Sequence, residues 1–165
     1  MARTFTVEYV ELIHDELLAL FWPGVEPVSA RDYRNTALID SALTAPFQRF
    51  DGRLLVRGVE RRAARIFHGL IANHPFANGN KRTAVLVLDH FCLLNSRYLA
   101  LSVDDMHDLA VDTASYRERG TTHQQMVEKI EAILRRAVVT DSEASFRGYF
   151  RLRERLLLPP YSRDL

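Results

Sequence analysis

From Thr83 to Leu94 the chain is apolar nearly all the way round a helical projection, interrupted only by Asp89 and His90. A helix without a polar face has no side to give to water, so it has to sit inside a shell of other elements. The flanking sequence supplies that shell. Val56, Val59, Ala63, Ile66, Phe67, Leu70 and Ile71 recur on one face of the preceding segment, with Arg57, Glu60, Arg61 and Arg65 on its other faces. Met126, Val127, Ile130, Ile133, Leu134, Ala137 and Val138 trace a similar stripe further on. Extended structure is confined to a short piece at residues 97–101. The pattern predicts an all-α fold, with helices packed around a central one.

The remaining segments agree. Val10, Ile13, Leu17, Leu20 and Phe21 define a first helix with Thr6 as N-cap, stopped by Trp22-Pro23-Gly24, where Trp22 reads as a packing anchor. Residues 23–34 read as a loop. Asn35 caps a short helix carrying Leu38, Ile39, Ala42 and Leu43, which ends before Pro46. Residues 46–54 read as an irregular loop around Asp51-Gly52. Ser102 and Asp105 form a capping box that opens a helix with Met106, Leu109 and Ala110 inward, and Gly120 breaks the chain after it. A last helix, about 142–158, places Phe146, Tyr149, Phe150, Leu156 and Leu157 on one side. Its Arg147, Arg151 and Arg155 suit either packing on its own domain or docking a partner. With no internal repeat and no linker, the chain reads as one domain over residues 1–165, with a core of about 5–138 and a C-terminal helical extension of about 141–158.

Composition narrows the function. At 165 residues the chain can bury a core without disulfides or a structural metal. A net charge of +1 creates no long-range field, so neither direct nucleic-acid binding nor a membrane surface is expected. The longest apolar run, Ala84 to Leu88, is too short to span a bilayer. The single cysteine, Cys92, lies among Phe91, Leu93 and Leu94 and reads as a small buried hydrophobe. It can form no internal disulfide, so a reducing, cytoplasmic setting is expected. His14, His90 and His107 stand beside Asp15, Asp89 and Asp108 without metal-ligand spacing, and read as helix-surface or satisfied core residues.

Chemistry concentrates between two strongly helical segments, in His74-Pro75-Phe76-Ala77-Asn78-Gly79-Asn80-Lys81-Arg82. One helix ends near His74 and the next begins near Asn80. The first turn of that second helix offers N–H groups without intrahelical acceptors, and its dipole favours an anion. Gly79 permits close backbone approach, while Asn80, Lys81 and Arg82 add donors and positive charge, which together make a phosphate cradle. An imidazole at His74 can accept the proton of a hydroxyl that attacks phosphorus. Phe76 reads as the inward anchor that positions the loop.

This nine-residue run resembles the signature of the Fic/Doc family, in particular its Doc (death-on-curing) branch. Ile66-Phe67-His68-Gly69-Leu70-Ile71, Thr83-Ala84-Val85 and Leu38-Ile39-Asp40-Ser41-Ala42-Leu43 resemble the same branch. The resemblance implies the all-helical Fic core and a toxin, paired with a separate antitoxin, that uses ATP to modify elongation factor Tu. Carried over, it makes His74 the general base. Gly79, Asn80, Lys81 and Arg82 become the nucleotide-phosphate site. Asn78 stands at the magnesium-binding position, where an amide is a weaker ligand than the carboxylate usual there. Lys81 and Val85 stand where AMP-transferring relatives carry Gly and a second Arg, so the resemblance favours transfer of the γ-phosphoryl group. AMP transfer and a non-catalytic binding module are the alternatives. Thr4-Phe5-Thr6-Val7-Glu8-Tyr9 only partly resembles the inhibitory motif of such proteins, which makes a separate antitoxin the expected restraint.

Overall fold

A computed structural model describes residues 3–21 and 34–140. The expected stop at Trp22, most of the loop that follows it and the C-terminal helix lie outside the described residues. The elements run α1 (Val7–Phe21), α2 (Thr36–Thr44), a single 3-10 turn (Ala45–Phe47), the hairpin β1 (Arg49–Phe50) and β2 (Arg53–Leu54), α3 (Val59–Ala72), α4 (Asn80–Leu94), β3 (Arg97–Leu99), α5 (Val103–Ala114), α6 (His123–Ala137) and β4 (Val138–Thr140). The fold is all-α, as the periodicity predicts. Among the described residues no helix is long and apolar enough to cross a membrane.

Helix α4 is the interior helix expected: from Thr83 to Leu94 no residue is exposed. It shares the centre with α3, which packs on α4, α6, α2 and α5. No residue of α3 is exposed either, although Glu60, Arg61, Arg62 and Arg65 belong to it. Three of these four charged side chains are covered because they find partners. Glu60 accepts from Arg97 at 2.9 Å, and Arg61 lies 3.6 Å from Glu131. Arg62 donates to the Val56 carbonyl at 3.2 Å and sits over the Phe47 ring at 5.0 Å. Paired charge can be buried where lone charge cannot.

Local signals set most boundaries. Thr6 caps α1 and Asn35 caps α2, its side chain accepting from the Leu38 N–H. Ser102 and Asp105 form the expected capping box, and Thr122 with Gln125 forms a second at α6. Two expectations need correction. Residues 46–54 are a 3-10 turn and a β-hairpin, whose turn residues Asp51 (φ 48°) and Gly52 (φ 71°) both take positive φ, the tight hairpin geometry that Asp-Gly favours. The α6 stripe stops at Ala137, because Val138 begins β4, which pairs antiparallel with β3. Cys92 is buried as expected, and burial pushes its thiol far above the ordinary range.

Candidate functional site

The loop between α3 and α4 is held by contacts from three directions. Helix α3 ends at Ala72 rather than running into the proline, with Asn73 as C-cap. His74 follows at φ 48°, in the left-handed region that usually ends a helix on glycine. A non-glycine residue there, directly before a proline, costs about 1–3 kcal/mol and persists only where its surroundings enforce it. They do: Asn73 donates to the Leu38 carbonyl at 3.4 Å, and the Pro75 carbonyl accepts from the Asn35 N–H at 2.9 Å. The His74 side chain stands exposed to solvent.

Phe76 is the anchor the sequence predicts, at 2% exposure. Its backbone bridges to Arg34, and the Arg34 guanidinium pairs with Asp15 of α1. The Asn80 side chain closes the loop from inside. Its Oδ1 accepts from the Phe76 N–H at 3.0 Å, and its Nδ2 donates to the Phe76 carbonyl at 2.8 Å. Asn80 is thus buried, with its amide engaged in fixing the turn, and what it can offer an anion is its backbone N–H.

Gly79 is the N-cap of α4, at φ 71°, with no side-chain cap on the helix. The N–H groups of Gly79, Asn80 and Lys81 have no acceptor among the described residues. The Lys81 and Arg82 side chains are exposed beside them. Unused donors, the positive end of a helix dipole and two exposed cations lie within the first turn of α4, a set suited to a phosphate group. Asn78 is half-buried and its amide oxygen is inaccessible to solvent. Among the described residues no group of three or more His, Cys, Asp or Glu side chains could hold a metal ion. The residues therefore fit a polyphosphate, and the position expected to face magnesium is held by the Asn78 amide.

Two histidines matter more than their sequence context suggests. His14 is fully buried, on the α1 face that also carries Val10, Leu17 and Leu18. Its ring stacks on Phe76 with centroids 3.8 Å apart and planes within 5°, and its Nε2 lies 3.2 Å from the Asn78 carbonyl oxygen. The spacing of Val10 and His14, four apart, signals the buried face; the contact with a loop 64 residues on is not readable from sequence. His68 of α3 is 1% exposed, packed edge-on against Tyr116 at 4.9 Å and His123 at 4.4 Å. Burial, then the positive neighbours His123, Arg117 and Arg65, pull its pKa down to about 4. The others are quieter: His90 bonds Tyr9 at 3.1 Å, and His107 is exposed beside Asp108.

Comparison with known proteins agrees with this geometry. The model of the Fic/DOC family matches residues 4–92, more than half of the chain and the whole of the loop. No curated protein matches the chain.

Proposed function

The chain belongs to the Fic/DOC family, whose members commonly transfer nucleotide or phosphoryl groups to proteins, and from that premise we propose that it is a Doc-type toxin that phosphorylates a protein hydroxyl. The donor is ATP, the expected acceptor is elongation factor Tu, and a separate antitoxin restrains the activity in the cytoplasm. One observation carries the reading: three backbone N–H groups without acceptors among the described residues share the first turn of α4 with exposed Lys81 and Arg82, a few residues from an exposed His74.

The chemistry assigned to this chain is alignment and charge stabilisation. Gly79, Asn80 and Lys81 direct N–H groups at the phosphates, while the Lys81 and Arg82 side chains offset their charge. The acceptor oxygen attacks the γ-phosphorus as the bond to the β-γ bridging oxygen breaks. His74 takes the hydroxyl proton, and ADP leaves with the bridging oxygen. Magnesium, if bound with the nucleotide, would shield phosphate charge, and Asn78 is the residue that would hold it, through an amide oxygen in place of a carboxylate. γ-Transfer is favoured over AMP transfer by Val85, whose apolar side chain offers no second guanidinium to the phosphates. Engagement of the Asn80 amide with Phe76 supports a second reading, a Fic-fold binding module without catalysis.

Incubating the protein and elongation factor Tu with ATP labelled at either the γ- or the α-phosphate separates these readings. Label on the acceptor from γ alone is the expected result. Label from α would establish AMP transfer, and none from either position, with ATP still bound, would establish the binding module.

A further inference from the structure

Asn78 and Gly79 share a peptide plane, and the described chain contains no cis peptide bond. In a trans plane the carbonyl and the N–H point in opposite directions. His14 fixes one of them. Its Nε2 is 3.2 Å from the Asn78 carbonyl oxygen, and because a carbonyl only accepts, Nε2 is the nitrogen that carries the proton. The Gly79 N–H therefore faces away from α1, on the side where it has no acceptor among the described residues.

The imidazole has little room to turn. It is fully buried and stacked flat on Phe76. Toward the loop, a Cβ added at Gly79 would lie 3.4 Å from Nε2. The plane it holds is one that could otherwise rotate, since glycine at positive φ tolerates conformations closed to other residues. Rotated, the plane would present a carbonyl oxygen where the N–H now stands, and a phosphate would meet repulsion in place of a hydrogen bond.

We propose that His14 is a positioning residue of the transfer site: its Nε2–H locks the Asn78–Gly79 plane so that the Gly79 N–H joins the first-turn donors of α4 in holding the nucleotide phosphates. The proposal rests on the phosphate-binding reading of the loop. Helix α1 grips that loop twice, through His14 directly and through Asp15, which pairs with the Arg34 that bridges Phe76. It is thereby a working part of the site and more than a cover for α4.

The test compares the full chain with His14→Phe, which keeps the stacked ring and removes the donor, and His14→Gln, which keeps a donor and removes the ring. The readouts are the Gly79 amide resonance by NMR, ATP affinity by calorimetry and unfolding temperature. His14→Phe is expected to move the Gly79 resonance and weaken ATP about tenfold, the scale of one hydrogen bond, while remaining folded. His14→Gln should recover affinity to within about threefold of wild type. Unchanged resonance and affinity in His14→Phe, or no recovery in His14→Gln, overturns the lock. Should the wild type bind no ATP, the phosphate-binding reading fails separately. The resonance then decides: a shift in His14→Phe that His14→Gln reverses upholds the locked plane, and its absence overturns it. If His14→Phe does not fold, His14→Leu takes its place with the same expectations.

Discussion

The two ends of α3 treat their polar groups in opposite ways. At the N-terminal end, Glu60 is paired with Arg97, Arg61 with Glu131, and Arg62 with the Val56 carbonyl and the Phe47 ring. Burial would raise the Glu60 carboxyl, but its backbone hydrogen bond and Arg97 outweigh that and hold it below the ordinary range. At the C-terminal end, His74 sits at positive φ with its side chain in solvent, and the donors of Gly79, Asn80 and Lys81 go unused. One end closes its hydrogen bonds on the protein, and the other withholds them for something else. Strain and unmet donors side by side mark a binding or catalytic place better than either alone, since natural folds meet buried polar groups elsewhere.

If that contrast is correct, changes at the loop end damage transfer and spare stability, and changes at the opposite end do the reverse. The largest effect is expected from His74→Ala. It removes the proposed base, so transfer should fall on the order of a hundredfold or more, while ATP affinity and the unfolding temperature stay near wild type. Steady-state rates with calorimetry on the same samples check this, and a variant with wild-type turnover would sink the assignment.

How much of this contrast was readable beforehand depends on the distance over which each feature is encoded. The six described helices, the Asn35 and Ser102 caps and the contiguous loop from His74 to Arg82 are legible in the sequence, because period, capping chemistry and motif act within a few residues. The left-handed His74 was not. A helix running into His74-Pro75 looks as though the proline ends it, whereas tethers from Leu38 and Asn35 stop the helix two residues earlier. Asn80 read as a phosphate ligand because its type suits one; only the fold shows its amide turned back onto Phe76. The covered polar face of α3 was hidden for a similar reason. Periodicity gives a helix's apolar side, but cannot say that Arg97 and Glu131 will arrive to neutralise the other. The hairpin is not legible in the sequence because β1 and β2, two residues each, are too short to show alternation.

Next in size are Lys81→Ala and Arg82→Ala. Each should weaken ATP by about 1.5–3 kcal/mol where its charged hydrogen bond is well formed, with little change in stability. Unchanged affinity in both would return these residues to ordinary solvated charges. Arg62→Ala probes the other end. It strands the Val56 carbonyl and removes a cation from the Phe47 ring, so it should cost about 1–3 kcal/mol of stability while ATP affinity stays constant. Chemical denaturation provides the measurement, and a loss of affinity without a loss of stability would erase the contrast between the two ends.

The smallest effect concerns pH. The folded pKa of His68, about 4, lies below its ordinary value of 6.5, so the unfolded chain binds the extra proton first. Its contribution is complete above pH 6.5 and declines as pH falls toward 4. Unfolding temperatures measured across that window should decline more steeply for wild type than for His68→Phe, which carries no titrating ring. Parallel curves would show that His68 is solvated or paired in solution.

Transfer, nucleotide affinity and the His14 lock all require phosphate to bind at the start of α4. Backbone amide resonances followed through an ATP titration put that to the proof without requiring an acceptor, a toxin assay or turnover. The largest shifts are expected at Gly79, Asn80 and Lys81, with the Glu60–Arg62 end of α3 unmoved. Saturating ATP that leaves these three amides in place, or that shifts residues elsewhere instead, would contradict the account.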